Sequence, residues 1–422
     1  MKQKVYLLAF ISSIFMWSCD STKTKERSQV TAKDILGNPE YQAISYGGYR
    51  KTSRDFQPTI AELKEDMKIL QALNIKVLRT YNVQLAQASN LLKAITELKA
   101  EDSTFEMYVM LGAWIDCKNA WTNQAPDHEA ESEQNEGEIA RAVALANEYP
   151  DIVKIIAVGN EAMVKWAASY YVQPRVILKW VNHLQNLKKE GKLPKDLWIT
   201  SSDDFSSWGG GDKSYHVKDL EDLIKAVDYI SMHTYAYHNS HYNPEFWQSP
   251  EEDKDLTNQE KIDTAMLRAK KFAMNQYNAV SDYMKSLGVN KPVHIGETGW
   301  ATVSNGLYGP TGSRATDEYK EAAYYNHLRE WTNEAGISCF YFEAFDEPWK
   351  DAHNSEGSEN HFGLITVDGK AKFALWKEVD KGTFKGLKRN GNPITKTFNG
   401  NKDSLMIGVL TPPEKKEVSL TH

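Results

Sequence analysis

Eight short apolar runs, each followed by a stretch with helical spacing, constrain this chain more than any other feature. The runs span residues 44–49, 76–81, 106–114, 154–161, 197–203, 227–235, 292–300 and 339–346. They are rich in Val, Ile, Tyr and Phe. Several are apolar without strict alternation, as strands buried on both faces are. Residues 59–73 carry Ile60, Leu63, Met67, Leu70 and Leu73 at three-to-four spacing after Pro58, which suits a helix start. Residues 85–98, 139–149, 176–187, 220–226, 262–287, 319–335 and 373–379 fill the remaining gaps in the same way. Eight strands alternating with helices predict an α/β protein, a (β/α)8 TIM barrel. A doubly wound open sheet is the structural alternative. The 422 residues exceed the roughly 250 of a plain barrel, which leaves room for long loops.

Polar residues collect at the ends of these runs: Arg79 and Tyr81, Asn160 and Glu161, Asp203, His233 and Tyr235, Glu297, and Glu343 with Asp346. A carboxylate inside a strand is expensive without a function. In a closed barrel all strand C-termini meet at one mouth, where the chemistry sits, so this placement favours closure. Trp114, which ends the third run, and Asp203 join the residues expected to face a substrate there. The 12 Trp and 21 Tyr supply flat amphipathic rings that can stack on sugars, although most such rings serve packing.

Glycoside hydrolysis needs two carboxyl groups flanking one bond. One protonates the leaving oxygen, and the other attacks C1 or activates the water that does. Glu161 ends the fourth run in Val158-Gly159-Asn160-Glu161, and Glu297 lies near the end of the seventh in Gly296-Glu297-Thr298-Gly299-Trp300. Strands four and seven face each other across an eight-stranded mouth. A structural salt bridge explains either Glu alone, but explains the pair poorly.

These two motifs, with Phe342-Glu343-Ala344-Phe345-Asp346-Glu347-Pro348-Trp349-Lys350 and Phe362-Gly363-Leu364-Ile365, resemble glycoside hydrolase family 17. The resemblance runs from about residue 44 to residue 376. It implies a retaining mechanism on β-1,3-glucans, with Glu161 as acid/base and Glu297 as nucleophile. Asn160 matches the residue that binds the sugar 2-hydroxyl, and Tyr81 a tyrosine at the end of strand two. Tyr235 matches the aromatic near the nucleophile, and Trp300, Glu343 and Trp349 match substrate-side positions. Ala301 stands where many members have Pro, which changes the loop beside the cleft. A charged Glu297 would raise the pKa of Glu161, as an acid needs. A transglycosylase on the same site is one alternative. A non-catalytic glucan-binding surface lipoprotein is another, against which the presence of both glutamates argues.

The rest of the chain sets limits. Net charge is −7 with no basic stripe, so no nucleic-acid partner is expected. His233, His238 and His241 lack a recognisable metal-ligand spacing, and neither metal nor cofactor is expected. The acidic segment 115–137 reads as a solvated loop, and 206–211, with Trp208 and three glycines, as a flexible rim. Cys117 and Cys339 fall at opposite ends of the barrel and are expected to be free thiols. Lys2 and Lys4, an apolar stretch from Val5 to Trp17, and Ser18-Cys19 resemble a lipoprotein signal. The expected layout is a signal peptide at 1–18, a tether and lead-in at 19–42, a catalytic barrel at 43–380, and a C-terminal extension at 381–422. The extension reads as an appendage or a partly ordered tail. A monomer held by a lipid on Cys19 at a bacterial membrane, expected at the outer membrane or cell surface, completes the picture.

Overall fold

The computed structural model describes residues 29–415; the signal and the first part of the tether and lead-in, residues 19–28 with Cys19, lie outside them. Eight parallel strands close into a barrel in sequence order. They are β1 (Gln42–Ser45), β2 (Ile75–Arg79), β3 (Tyr108–Ala113), β4 (Val153–Asn160), β5 (Trp198–Asp204), β6 (Ile230–His233), β7 (Val293–Gly299) and β8 (Cys339–Phe342). The helices that follow them are α1 (Ile60–Ala72), α2 (Ala86–Glu101), α3 (Gln134–Glu148), α4 (Pro174–Lys189), α5 (Lys218–Ala226), α6 (Asn258–Ser286), α7 (Glu318–Ala335) and α8 (Trp376–Lys381). The predicted (β/α)8 TIM barrel is therefore the fold. Among the described residues no helix is long and apolar enough to cross a membrane.

Local chemistry starts several helices where the spacing predicts them. Thr59 caps α1 in a box with Glu62, and Thr257 caps α6 with Glu260. Pro174 opens α4, where its missing N–H costs nothing. Inside the barrel, Ala43, Val77, Met110, Ile155, Ala157, Tyr229 and Phe340 form one apolar cluster. The lead-in adds Ala32, Ile35 and Leu36 to it, so this segment plugs the barrel floor. Arg329 of α7 ties the closing strands together, donating to Cys339 O at 2.8 Å and Ala43 O at 2.6 Å. Cys117 and Cys339 are both buried free thiols.

Three expectations about loops need correction. The segment 115–137 is not merely a solvated loop. Residues Cys117–Lys118 and Asp127–Glu131 pair as an antiparallel ribbon, and α3 begins within the segment. The segment 206–211 is not a flexible rim: Trp208 is fully buried and donates from Nε1 to Ser231 O at 3.0 Å. The part of the tail up to residue 415 is not an appendage. Arg389 is fully buried, lies 4.1 Å over the Phe345 ring, and meets Asp66 of α1 at 3.1 Å.

Asp66 is the centre of that junction, because Arg50 also reaches it at 2.8 Å and Tyr46 donates to it at 3.0 Å. The tail thus fastens α1 beside the β1–β8 seam. Asp66→Asn would leave the buried Arg389 guanidinium without a carboxylate, while Arg50 keeps Glu65 at 2.9 Å, at a cost of about 3–5 kcal/mol. A lower urea midpoint with an unchanged m-value is the expected reading. A stability loss under about 1 kcal/mol would show the junction to be solvated instead.

Candidate active site

The mouth of the barrel brings together side chains from strands far apart in sequence. Glu297 of β7 sits in a cage of donors. Its Oε1 accepts from Tyr235 at 2.7 Å, and its Oε2 accepts from Tyr81 at 3.0 Å and from the Arg79 guanidinium. Arg79 also donates to Asn160 Oδ1. Glu161 follows β4, and its Oε1 lies 3.0 Å from His233 Nδ1. His233 Nε2 is 2.8 Å from Ser202 Oγ, which is 2.9 Å from Ser231 Oγ. One oxygen of Glu161, one of Glu297 and a ring nitrogen of His233 all lie within 4.8 Å of one another. That trio is the only potential metal-ligand group among the described residues, and His238 and His241 are not in it. The Arg79 guanidinium already supplies positive charge to Glu297 there.

Glycines in the two motifs make this geometry possible. Gly159 has φ +83°, and a Cβ there would come within 2.8 Å of Ala162 Cβ. The chain can therefore turn sharply at the end of β4. Glu161 itself has φ +47°, while its N–H still donates to Ser202 O at 2.9 Å. At Gly296 a Cβ would collide with Ser231 Oγ and Ser202 Oγ, the hydroxyls that support His233. Larger residues at either position would displace one of the two carboxylates.

The two carboxyl groups have opposite proton affinities. Burial opposes ionisation of Glu297, but the Arg79 charge and the Tyr235 hydrogen bond outweigh it and hold the group at about 2. Glu161 is pushed well above the ordinary carboxyl range by burial, then by the charges of Glu297 and Asp204. Burial lowers His233 to about 4 against the pull of Glu297, so its ring is neutral at working pH. One group is thus a ready anion and the other a ready acid. If activity needs ionised Glu297 and protonated Glu161, it rises with pH through about 2 and falls as Glu161 loses its proton. The expected pH profile of kcat/KM keeps nearly full activity at pH values just below the free carboxylate range. An acid limb at roughly 4.5, the free value, would contradict the Arg79 cage.

Most of the predicted substrate-facing residues converge here. Tyr81 and Tyr235 belong to the cage around Glu297, and Asn160 is linked to it through Arg79. Glu343 lies deeper, almost fully buried, with Oε2 3.2 Å from Lys350 Nζ. Trp349 borders the mouth on the β8 side, edge-on to Tyr49 at 5.8 Å with the Arg54 guanidinium 4.3 Å over its ring. Trp114 lies on the other side, tilted against Tyr170 at 5.2 Å.

Two predicted substrate residues do not face the mouth. Trp300 is fully buried, packs on Tyr237, Trp247 and Tyr324, and donates to Ala315 O at 2.8 Å. Asp203 is fully buried as well and accepts from the N–H groups of Met163 at 2.7 Å and Asp204 at 2.8 Å. It braces the turn after Glu161, and burial raises its pKa to about 7. The reason is strand alternation. Glu297 points inward, so Thr298 points out to Tyr324 at 2.9 Å, and Trp300 follows it outward. Ser202 points inward to His233, which turns Asp203 away. Strand-end position marks Arg79 and His233 as polar without giving either a role, and it does not single out Asp204 or Lys350. The two-residue period along β5 and β7 separates Asp203 and Trp300 from the site.

A closed eight-stranded barrel with an ionised and a protonated carboxyl group paired at its mouth defines a (β/α)8 glycoside hydrolase. Residues 43–363 match the model of the BtgE/BtgC glycoside hydrolase domain, and the chain belongs to that family. The crystal structure of an endo-laminarinase from Formosa Hel1_33_131 is 71% identical, with a TM-score of 0.91, covering 93% of this chain and 100% of that one. The "Probable glucan endo-1,3-beta-glucosidase btgC" of Aspergillus flavus is 24% identical over 83% of this chain. This chain spans only 46% of that relative's length. The "Glucan 1,3-beta-glucosidase" of Arthroderma benhamiae is 26% identical over 76% of this chain and 86% of its own length. A β-1,3-glucanosyltransferase from Rhizomucor miehei, 20% identical with a TM-score of 0.55, covering 79% of this chain and 96% of that one, shares the fold.

Proposed function

We propose that this chain is an endo-acting, retaining β-1,3-glucan hydrolase whose substrate is a laminarin-type glucan. The observation that carries this reading is the pair of carboxyl groups, with oxygens within 4.8 Å of each other and opposite protonation. Retaining glycosidases hold their carboxyl groups roughly 5–5.5 Å apart, whereas inverting enzymes leave roughly 6.5–9.5 Å for a water. Glu297 attacks C1 while Glu161 gives its proton to the leaving glycosidic oxygen. The glycosyl ester then has no charge on Glu297. Glu161, now ionised, takes a proton from water as that water attacks C1, and both groups return to their starting states. Tyr81, Tyr235 and Arg79 hold the nucleophile, and Asn160 is oriented by Arg79 to meet a sugar hydroxyl. The similarity to the Formosa endo-laminarinase supports the choice of glucan and the endo mode.

The same reading includes export, a lipid on Cys19, action as a monomer, and a place at a bacterial outer membrane or cell surface. Its export and anchoring rest on Lys2, Lys4, the apolar stretch after them, and Ser18-Cys19. Chromatography of products from laminarin, lichenan and curdlan over time tests the activity. Early mixed-length oligosaccharides from laminarin are the expected result. Release of glucose alone would contradict endo action, and products longer than an oligosaccharide substrate would mean transfer.

A further inference from the structure

An aromatic stack stands beside the mouth, where Trp121, between the two strands of the antiparallel ribbon within residues 115–137, meets Trp114 and Tyr170. Trp121 lies parallel to Tyr170, with ring centroids 5.0 Å apart and planes at 23°. Trp114 leans on both, at 5.2 Å from Tyr170 and 6.4 Å from Trp121. Trp121 is nonetheless 63% exposed, and its backbone sits at φ +62°. A bulky residue held in that region, with an indole face in water, is costly for the fold alone.

The ribbon that carries it is fixed to the barrel. Cys117 donates from its N–H to Tyr170 O at 3.0 Å. His128 stacks on Tyr171 at 3.6 Å, and Arg175 pairs with Glu129 at 2.6 Å. Trp180 Nε1 donates to Glu131 at 2.7 Å. The rings are also continuous with the catalytic mouth. Trp114 directly follows β3, and Tyr170 lies close enough to Glu161, Asp203 and Glu297 to feel their charges.

The geometry points to Trp121, backed by Tyr170, as a sugar-stacking platform that binds distal glucose units of a β-1,3-glucan chain crossing the mouth. This rests on the proposed glucanase function and adds a specificity residue to it. A flat ring fits a sugar face, and the fixed ribbon spares the cost of ordering it on binding. The platform touches only long substrates, so it contributes the same binding before and at the transition state. Its loss raises KM and leaves kcat unchanged.

The test compares Trp121→Ala with wild type on laminarin and on an aryl β-laminaribioside, which spans only the centre. On laminarin KM should rise roughly 2- to 12-fold with kcat unchanged. On the short substrate kcat/KM should stay at the wild-type value, and Trp121→Tyr should restore most of the lost laminarin affinity. An unchanged laminarin KM, or equal losses on both substrates, would overturn the platform while leaving the glucanase reading intact. A wild-type enzyme inactive on laminarin would overturn that reading itself.

Discussion

Glu297→Gln should abolish turnover of β-1,3-glucan, by at least about 10⁴-fold in kcat, as loss of a nucleophile does. Oligosaccharide binding should survive, because the cage can adapt to the amide. The amide oxygen can keep the Arg79 and Tyr81 bonds, while the Tyr235 hydroxyl can turn and accept from the NH2. The variant should also make Glu161 more acidic, because the negative charge that raises its pKa is gone. Carboxyl NMR titration of Glu161 in wild type and variant checks the coupling, and steady-state kinetics check the turnover. Wild-type-like turnover would remove Glu297 from the mechanism. An unmoved Glu161 titration would mean that burial, not Glu297, sets its proton affinity.

Glu161→Ala should fail in a substrate-dependent way. A natural glucan leaves as an alkoxide and needs a proton, so its cleavage should fall by roughly 10²–10⁴-fold. An aryl glycoside with an acidic phenol leaves unaided, and its first step should be nearly spared. The glycosyl-enzyme should then accumulate, because the base for the second step is missing. Added azide attacks C1 without base help and should restore turnover, giving a β-glycosyl azide in a retaining enzyme. His233 would lose its partner at Nδ1 but keep Ser202 at 2.8 Å, so its ring has a reason to stay in place. Equal losses on both substrates, without azide rescue, would mean that Glu161 is not the acid/base.

The strands were legible because barrel strands are buried on both faces and announce themselves as apolar runs. Glu161 and Glu297 were legible because carboxylates interrupt those runs beside glycines that the local geometry requires, Gly159 and Gly296. Side-chain direction was harder to read. Position near a strand end marked Asp203 and Trp300 as strongly as Tyr81, and only the alternation along β5 and β7 separates them. The roles of Arg79 and His233 depend on partners on other strands. Arg79 is 218 residues from Glu297 in sequence, and His233 is 72 from Glu161. No local pattern encodes such pairings. The buried Trp208 and Arg389 lie in segments whose glycines and charges look like those of solvated loops. Their burial follows from neighbours, Ser231 and Asp66, that the sequence does not place beside them.

Covalent trapping tests the central assignment most directly. A 2-deoxy-2-fluoro laminaribiosyl fluoride forms the glycosyl-enzyme through its good leaving group. The fluorine at C2 then slows hydrolysis by destabilising the oxocarbenium-like transition state. Digestion and mass spectrometry should find one fluorinated disaccharide per chain, on the peptide containing Gly296-Glu297-Thr298, with fragmentation placing it on Glu297. A label on Glu161 or another carboxylate, or no label together with inverted anomeric configuration in the natural products, would contradict it.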